Sequence, residues 1–304
     1  MEPITYIDRT TGKIHKEKVY GNAILKLLYG GGFFGTFLKF LTSHFSLCSA
    51  LFGWWHKLPF TKRKIRPFIK RFAIDTSEFL EPIENFHSFN DFFIRQLKPE
   101  VRPIVGDSKT AIIPADGRYL FFQNIALTDG FLVKGEKFHL EMLLLNEELA
   151  SRYQHGAMVI ARLCPSDYHR YHFPVDCSPG ESHLIHGRLF SVNPMAIKKD
   201  IHIFSKNKRT ICELETKQFG KVLYLEIGAT NVGSINQTYE PHSSYRKGAE
   251  KGFFSFGAST IILLFEPESI TFDQDLLEAS SKKIEIKCLV GQSMGKYFSS
   301  AANF

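Results

Sequence analysis

Ser259 stands where a sequence can place a nucleophile. It follows Gly257-Ala258 and precedes Thr260. Before it, Phe254 and Phe256 alternate with smaller residues, as a half-buried strand requires. After it, Ile261 to Phe265 is a continuous apolar run with β-branched residues at its start. The stretch 247–265 therefore reads as a strand, a tight turn and a second strand. Small residues on so short a connection allow a strained peptide and present the Ser259 hydroxyl to a reacting carbonyl. The plain alternative is an ordinary hairpin turn, in which Gly supplies a positive φ and Ser caps.

Three further residues have side chains suited to acid–base work. Asp116 lies in Pro114-Ala115-Asp116-Gly117, a carboxylate on a tight turn after the apolar run 111–113, and in isolation that is an Asp-Gly hairpin turn. His169 and His172 lie in Pro165-Ser166-Asp167-Tyr168-His169-Arg170-Tyr171-His172-Phe173-Pro174. On a helix these two histidines would share a face and could ligate a metal. The bracketing prolines favour a loop or a single helical turn, no third ligand follows from spacing, and no metal is expected. Gly228-Ala229-Thr230-Asn231-Val232-Gly233-Ser234-Ile235 reads as a polar turn of small residues that permits close backbone approach.

In order, these segments resemble the phosphatidylserine decarboxylase proenzyme family. The resemblance covers about residues 86–266. It is carried by Phe89-Asn90-Asp91-Phe92-Phe93-Ile94-Arg95-Gln96-Leu97-Lys98-Pro99, the Pro114–Gly117 turn, Val133-Lys134-Gly135 and the Asp167–Pro174 segment. Leu189-Phe190-Ser191-Val192-Asn193-Pro194, Cys212-Glu213-Leu214-Glu215-Thr216, Gly228–Ile235, Lys247–Gly257 and Ser259-Thr260 extend it. It implies self-cleavage between Ala258 and Ser259, giving chains 1–258 and 259–304, with Ser259 becoming a pyruvoyl group. That covalent cofactor would form a Schiff base with phosphatidylserine and release CO2, leaving phosphatidylethanolamine. Asp116 and His172 match the partners of the serine in a Ser-His-Asp arrangement, and His169 matches a histidine linked to decarboxylation and protonation. Ala258 stands where the family has glycine. The resemblance also implies a homodimer working peripherally at the cytoplasmic face of the inner (cell) membrane.

Elements must hold these groups in place. The chain has 304 residues and a formal net charge of +7, enough length for a large core. Residues 1–72 carry 13 Lys/Arg against 3 Asp/Glu, about +10, so the remainder is about −3. The basic excess thus belongs to the N-terminal segment and points to an anionic surface. From Phe33 to Trp55, apolar residues recur in steps of three and four, one helical face. Phe33, Phe37, Leu41, Phe45, Trp54 and Trp55, beside Lys62, Arg63 and Lys64, are the expected membrane-binding residues. The alternative is a helix packed on its own domain with its charges solvated. Polar residues interrupt the run, so no apolar span of about 18 residues exists for a membrane crossing. No nucleic-acid module pattern appears. The start, Met1-Glu2-Pro3-Ile4, has neither a basic nor an apolar signal-peptide region. The five widely spaced cysteines are expected as free thiols in a reducing compartment.

Two regions are expected: 1–85, basic and membrane-associating, and 86–304, the decarboxylase domain. Residues 1–19 read as two extended pieces about Thr10-Thr11-Gly12. Ser88 caps a short helix that Lys98-Pro99 stops. Beyond residue 105 come many short strands with one helical stretch, 140–149, so the fold class is mainly β, barrel- or sandwich-like. Residues 206–209 look like a charged hairpin tip, and 292–304 like a loosely ordered end. Three other functions stay open: a zinc hydrolase using Asp116, His169 and His172, a membrane-binding β-domain without catalysis, and a pyruvoyl enzyme acting on a soluble amino acid.

Overall fold

A computed structural model describes residues 4–18, 53–127, 139–197, 200–229, 234–257 and 259–298. The expectations for Phe33, Phe37, Leu41, Phe45, Ala258 and residues 133–135 and 230–233 fall outside them.

The strands are β1 Thr5–Asp8, β2 Ile14–Lys16, β3 Thr110–Ile112, β4 Gly117–Phe122, β5 Ala157–Leu163, β6 Arg170–His172, β7 Ser178–Pro179 and β8 His183–Ile185. They continue with β9 Arg209–Glu215, β10 Lys221–Gly228, β11 Ile235–Gln237, β12 Glu250–Phe254, β13 Ser259–Phe265, β14 Ile270–Phe272, β15 Glu285–Cys288 and β16 Ser293–Tyr297. The helices are α1 Ile65–Phe72, α2 Phe89–Phe93, α3 Leu140–Leu144, α4 Glu147–Tyr153, α5 Pro194–Ile197, α6 Ile203–Lys206 and α7 Gln274–Ser281. The architecture is mainly β. A large sheet runs β2-β1-β15-β4-β5-β13-β10-β9-β7, with β8 also on β9, and two three-stranded sheets, β11-β12-β6 and β14-β16-β3, stand apart from it.

β13 lies at the heart of the large sheet, antiparallel to β10 and β5. It is buried on both faces, which is why Ile261–Phe265 reads as an unbroken apolar run rather than an alternation. Ile261, Leu263 and Phe265 face one core with Tyr171, Tyr224 and Phe254. Ile262 and Leu264 face a second core closed by side chains of α3, α4 and α6. A third, phenylalanine-rich cluster joins Ile65 and Phe68 of α1 to Phe79, Phe86, Phe89, Phe92, Phe93 and Phe256.

The extended pieces about Thr10-Thr11-Gly12 are the hairpin β1–β2, and β1 continues the large sheet by pairing parallel with β15. The expected helix 140–149 is two helices. Leu145 adopts φ 51°, and the Asn146 side chain accepts from Leu149 N at 3.0 Å to start the next one. Residues 206–209 are not a charged tip. Lys206 ends α6, Asn207 is buried against Phe190 and Gly228, and the buried Arg209 guanidinium donates to the Leu143, Ser205 and Asn207 carbonyls. Carbonyls left over at helix ends accept this charge, which a reading of charge runs misses. The C-terminal end is ordered through β16, which pairs with β14 and β3.

Candidate active site

The turn before Ser259 is not a hairpin. β12 pairs with β11 and β6, whereas β13 pairs with β10 and β5, so consecutive strands of the chain lie in a small sheet and in the large one. Gly257 takes φ 143°, a conformation that excludes most side chains. Ser259 is the first residue of β13, between Gly228 and Leu163. It is fully buried, and among the described residues its Oγ has no hydrogen-bond partner. A buried hydroxyl without a partner is costly, and here it sits next to the peptide that the resemblance marks for cleavage.

α2 grips this turn. Ser88 Oγ accepts from Asp91 N at 3.1 Å, and Asp91 Oδ2 accepts from His87 N at 2.9 Å, a reciprocal cap. The helix is shorter than expected, ending at Phe93 rather than at Lys98-Pro99. Asn90 Oδ1 accepts from Phe256 N at 3.0 Å. The Phe256 ring lies against Phe93 and Phe89, with centroids at 4.9 and 5.1 Å. The sequence marks Asn90 only as a polar residue inside an aromatic run, and its bond to the turn joins residues 166 positions apart.

His169 joins the same cluster. Its ring lies 3.9 Å, centroid to centroid, from Phe93, and its carbonyl accepts from Phe254 N at 3.0 Å. Nδ1 bonds the Asp167 carbonyl at 3.0 Å. A carbonyl only accepts, so Nδ1 carries the hydrogen and Nε2 presents its lone pair. Burial pushes the imidazole down to about 4, against the pull of Asp167 and of backbone contacts to Asp167 and Gly257. His169 is therefore neutral at neutral pH. The loop 164–169 that carries it is held from three sides. Cys164 N donates to Asp167 Oδ2 at 2.8 Å, Arg118 forms a short ion pair with the same carboxylate, and Arg95 reaches the Ser166 and Asp167 carbonyls at 3.4 Å.

His172 and Asp116 lie on adjoining segments. His172 N donates to the Pro114 carbonyl at 2.8 Å, which ties β6 to the Asp116 turn. Its Nδ1 bonds the Gly248 carbonyl at 3.0 Å, leaving Nε2 as an acceptor without a partner among the described residues. Burial lowers the pKa of His172, and Glu250 and Asp116 oppose that fall. The Asp116 carboxylate accepts from Arg102 Nη2 at 2.7 Å and from Val290 N at 2.9 Å, and Arg102 also pairs with Glu78. Among the described residues no hydrogen bond joins Asp116 to His172 or His172 to Ser259. Arg102, Asp167 and Arg118 had no predicted role, because each acts through a partner distant in sequence.

On the same sheet face as Ser259, Glu226 pairs with Lys251 at 2.6 Å, both side chains fully buried. The ammonium lies 4.8 and 4.9 Å from the Tyr239 and Tyr224 rings. Among the described residues no group of three His, Cys, Asp or Glu is placed to hold a metal. The four described cysteines are buried and unpaired.

The expected membrane-binding residues divide. Next to them in sequence, Ile65 and Phe68 of α1 are buried in the phenylalanine cluster. Trp54 and Phe60 remain exposed, at 59% and 44%. Lys62 and Arg63 are exposed beside them, and Lys64 lies 3.6 Å over the Trp55 ring. Among the described residues no helix is long and apolar enough to cross a membrane.

The family model "Phosphatidylserine decarboxylase" matches residues 89–296, from α2 to β16. A phosphatidylserine decarboxylase proenzyme of Chlamydia pneumoniae is 49% identical over 97% of this chain and 98% of its own length. The proenzyme of Chlamydia muridarum is likewise 49% identical over 97% and 98%. That of Chlamydia trachomatis serovar L2b is 43% identical over the same shares. With its buried serine, its histidine loop and these relatives along nearly its whole length, the chain belongs to the phosphatidylserine decarboxylase family and is a decarboxylase.

Proposed function

We propose that this chain is a proenzyme that cleaves itself between Ala258 and Ser259 and then converts phosphatidylserine to phosphatidylethanolamine and CO2. The observation that carries the reading is Ser259 itself, a fully buried hydroxyl at the junction of two sheets with no hydrogen-bond partner among the described residues. In self-cleavage, Ser259 Oγ loses its proton and attacks the Ala258 carbonyl, and the peptide rearranges to an ester. Loss of the α-proton of residue 259 expels the Ala258 carboxylate. Water then replaces the nitrogen of the dehydroalanine, releasing ammonia and leaving a pyruvoyl group.

His172 is the base in this reading. Its neutral ring and free Nε2 support that role, and Asp116 favours the imidazolium that proton uptake forms. Gly248 orients the ring, while Arg102 and Val290 N hold Asp116. A pyruvoyl carbonyl at residue 259 would be served by His169 Nε2 and His172 Nε2, two buried nitrogens that have no hydrogen-bond partner among the described residues. When present, that carbonyl is the sink for the electron pair that CO2 leaves behind. His169 moves a proton at Nε2 during turnover, and the wall of Phe93 and Phe256 excludes water. The fragments stay together after cleavage, because β13, β15 and β16 remain paired with β5 and β10, β4 and β1, and β3.

The lipid substrate places the enzyme at an anionic membrane surface as a peripheral protein. Exposed Trp54 and Phe60 beside Lys62 and Arg63 support this. The family's homodimer belongs to the same reading.

The deciding experiment is intact mass under denaturing conditions for the wild type and Ser259→Ala. Wild type should split into a large fragment and one of about 5 kDa whose N-terminus is blocked and ketone-reactive, and Ser259→Ala should stay whole. A wild-type chain that stays whole on long incubation sinks the cleavage reading.

A further inference from the structure

The N-terminal hairpin precedes every segment that carries chemistry in this chain, yet Glu17, the residue directly after β2, reaches the support of His169. The Glu17 side chain is only 4% exposed. It binds Arg162 through both oxygens, at 3.2 and 2.7 Å, and lies 3.5 Å from Arg118 Nε. Arg118 and Arg162 are cross-strand partners, directly opposite on β4 and β5. Two like charges in that register repel, and both guanidiniums are buried. Glu17 is the carboxylate they share. Arg162 has a second counterion, Glu285 at 2.5 Å, from the far side of the cleavage point. The other counterion of Arg118 is Asp167, whose carbonyl holds His169 Nδ1.

Glu17 holds its charge. Burial alone would push its pKa up, but Arg162 and Arg118 overcome this and keep it below the usual carboxylate range. Around the loop 164–169, Arg118 and Arg162 meet the carboxylates of Glu17, Asp167 and Glu285, and Arg95 meets the Ser166 and Asp167 carbonyls. Removing the charge of Glu17 leaves Arg118 and Arg162 opposed, with Asp167 as the one carboxylate bound to Arg118 among the described residues. The loop then shifts toward the unshielded charges.

We propose that Glu17 is a positioning residue for the decarboxylase site, acting on His169 through Arg118 and Asp167, so that the N-terminal hairpin is a working part of the catalytic unit. This rests on the reading that His169 acts in turnover. Arg9 provides the control, because it fastens the same hairpin, to Asp273 at 3.0 Å and Asp275 at 2.7 Å, without touching the Glu17 network.

The test compares wild type, Glu17→Gln, Arg9→Ala and Glu17→Gln/Arg162→Gln on phosphatidylserine in mixed micelles. Glu17→Gln should lower kcat about tenfold with apparent KM within about twofold. Arg9→Ala should stay near wild type. The double variant removes the opposing charge and should return to within about threefold of wild type. Should Glu17→Gln not fold, the double variant alone decides: within about threefold supports the proposal, and a tenfold loss overturns it. Wild-type kcat in Glu17→Gln, an equal loss in Arg9→Ala, or no recovery in the double variant also overturns it. An independent readout is the His169 imidazole NMR signal in Ser259→Ala protein, which Glu17→Gln should move and Arg9→Ala should not. If wild type fails to decarboxylate phosphatidylserine, the functional reading fails, and this signal still decides the role of Glu17.

Discussion

Acidification should destabilise the precursor through His169. Its imidazole is fully buried, faces Asp167 and Arg95, and titrates at about 4, against 6.5 for the free side chain. Above about pH 6.5 the ring is neutral in both folded and unfolded chains, and the shift has no effect on stability. Between that pH and about 4 the unfolded chain takes up a proton that the folded one refuses, so stability falls as pH falls. At about 1.4 kcal/mol per pKa unit, the loss attributable to His169 approaches about 3 kcal/mol at the acid end. Carboxylates titrate over the same range, so the measurement is a difference. Urea unfolding of Ser259→Ala, which stays a single species, is compared with Ser259→Ala/His169→Gln from about pH 7 to about pH 4. The double variant should lose less stability across this window, by up to that amount. Parallel curves for the two proteins would refute the argument that burial, rather than a compensating partner, sets the state of His169.

Two further outcomes follow from the site. Asn90→Ala removes the side-chain hydrogen bond to the buried Phe256 N–H, which should cost about 1 kcal/mol of stability and slow appearance of the 259–304 fragment at least several-fold. A destabilised protein that cleaves at the wild-type rate would show that α2 does not hold the reacting turn. At the surface, Lys62→Ala/Arg63→Ala removes two exposed cations, each contributing about 1 kcal/mol near anionic lipid. Sedimentation with phosphatidylserine-containing vesicles at low salt should show roughly thirtyfold weaker binding. Equal binding would remove this patch from the membrane contact.

Much of the molecule was legible in the sequence where the determinant is local. Strand β5, at 157–163, and strand β10, at 221–228, fall where short apolar runs bounded by turn residues put them, because a strand buried on both faces needs such a run. The Ser88 cap and the turn at Thr10-Thr11-Gly12 are likewise written in side chains that bond their own neighbours. The ordered residue types also sufficed to identify the family and to single out Ser259, Asp116, His169 and His172. Pairing and charge compensation were not legible, because they join residues far apart in the chain. Nothing local distinguishes a hairpin from a crossover, so only the tertiary structure decided that β12 and β13 belong to different sheets. Nothing local tells whether Arg209 lies in solvent or among helix-end carbonyls. Nor does it tell whether Glu17 belongs to a basic leader or stands between two buried arginines beneath the histidine loop. The sequence by itself determined which groups could react, since reactivity resides in residue type. The tertiary structure decided how each is buried, oriented and neutralised, since those depend on partners that only folding brings within a few ångströms.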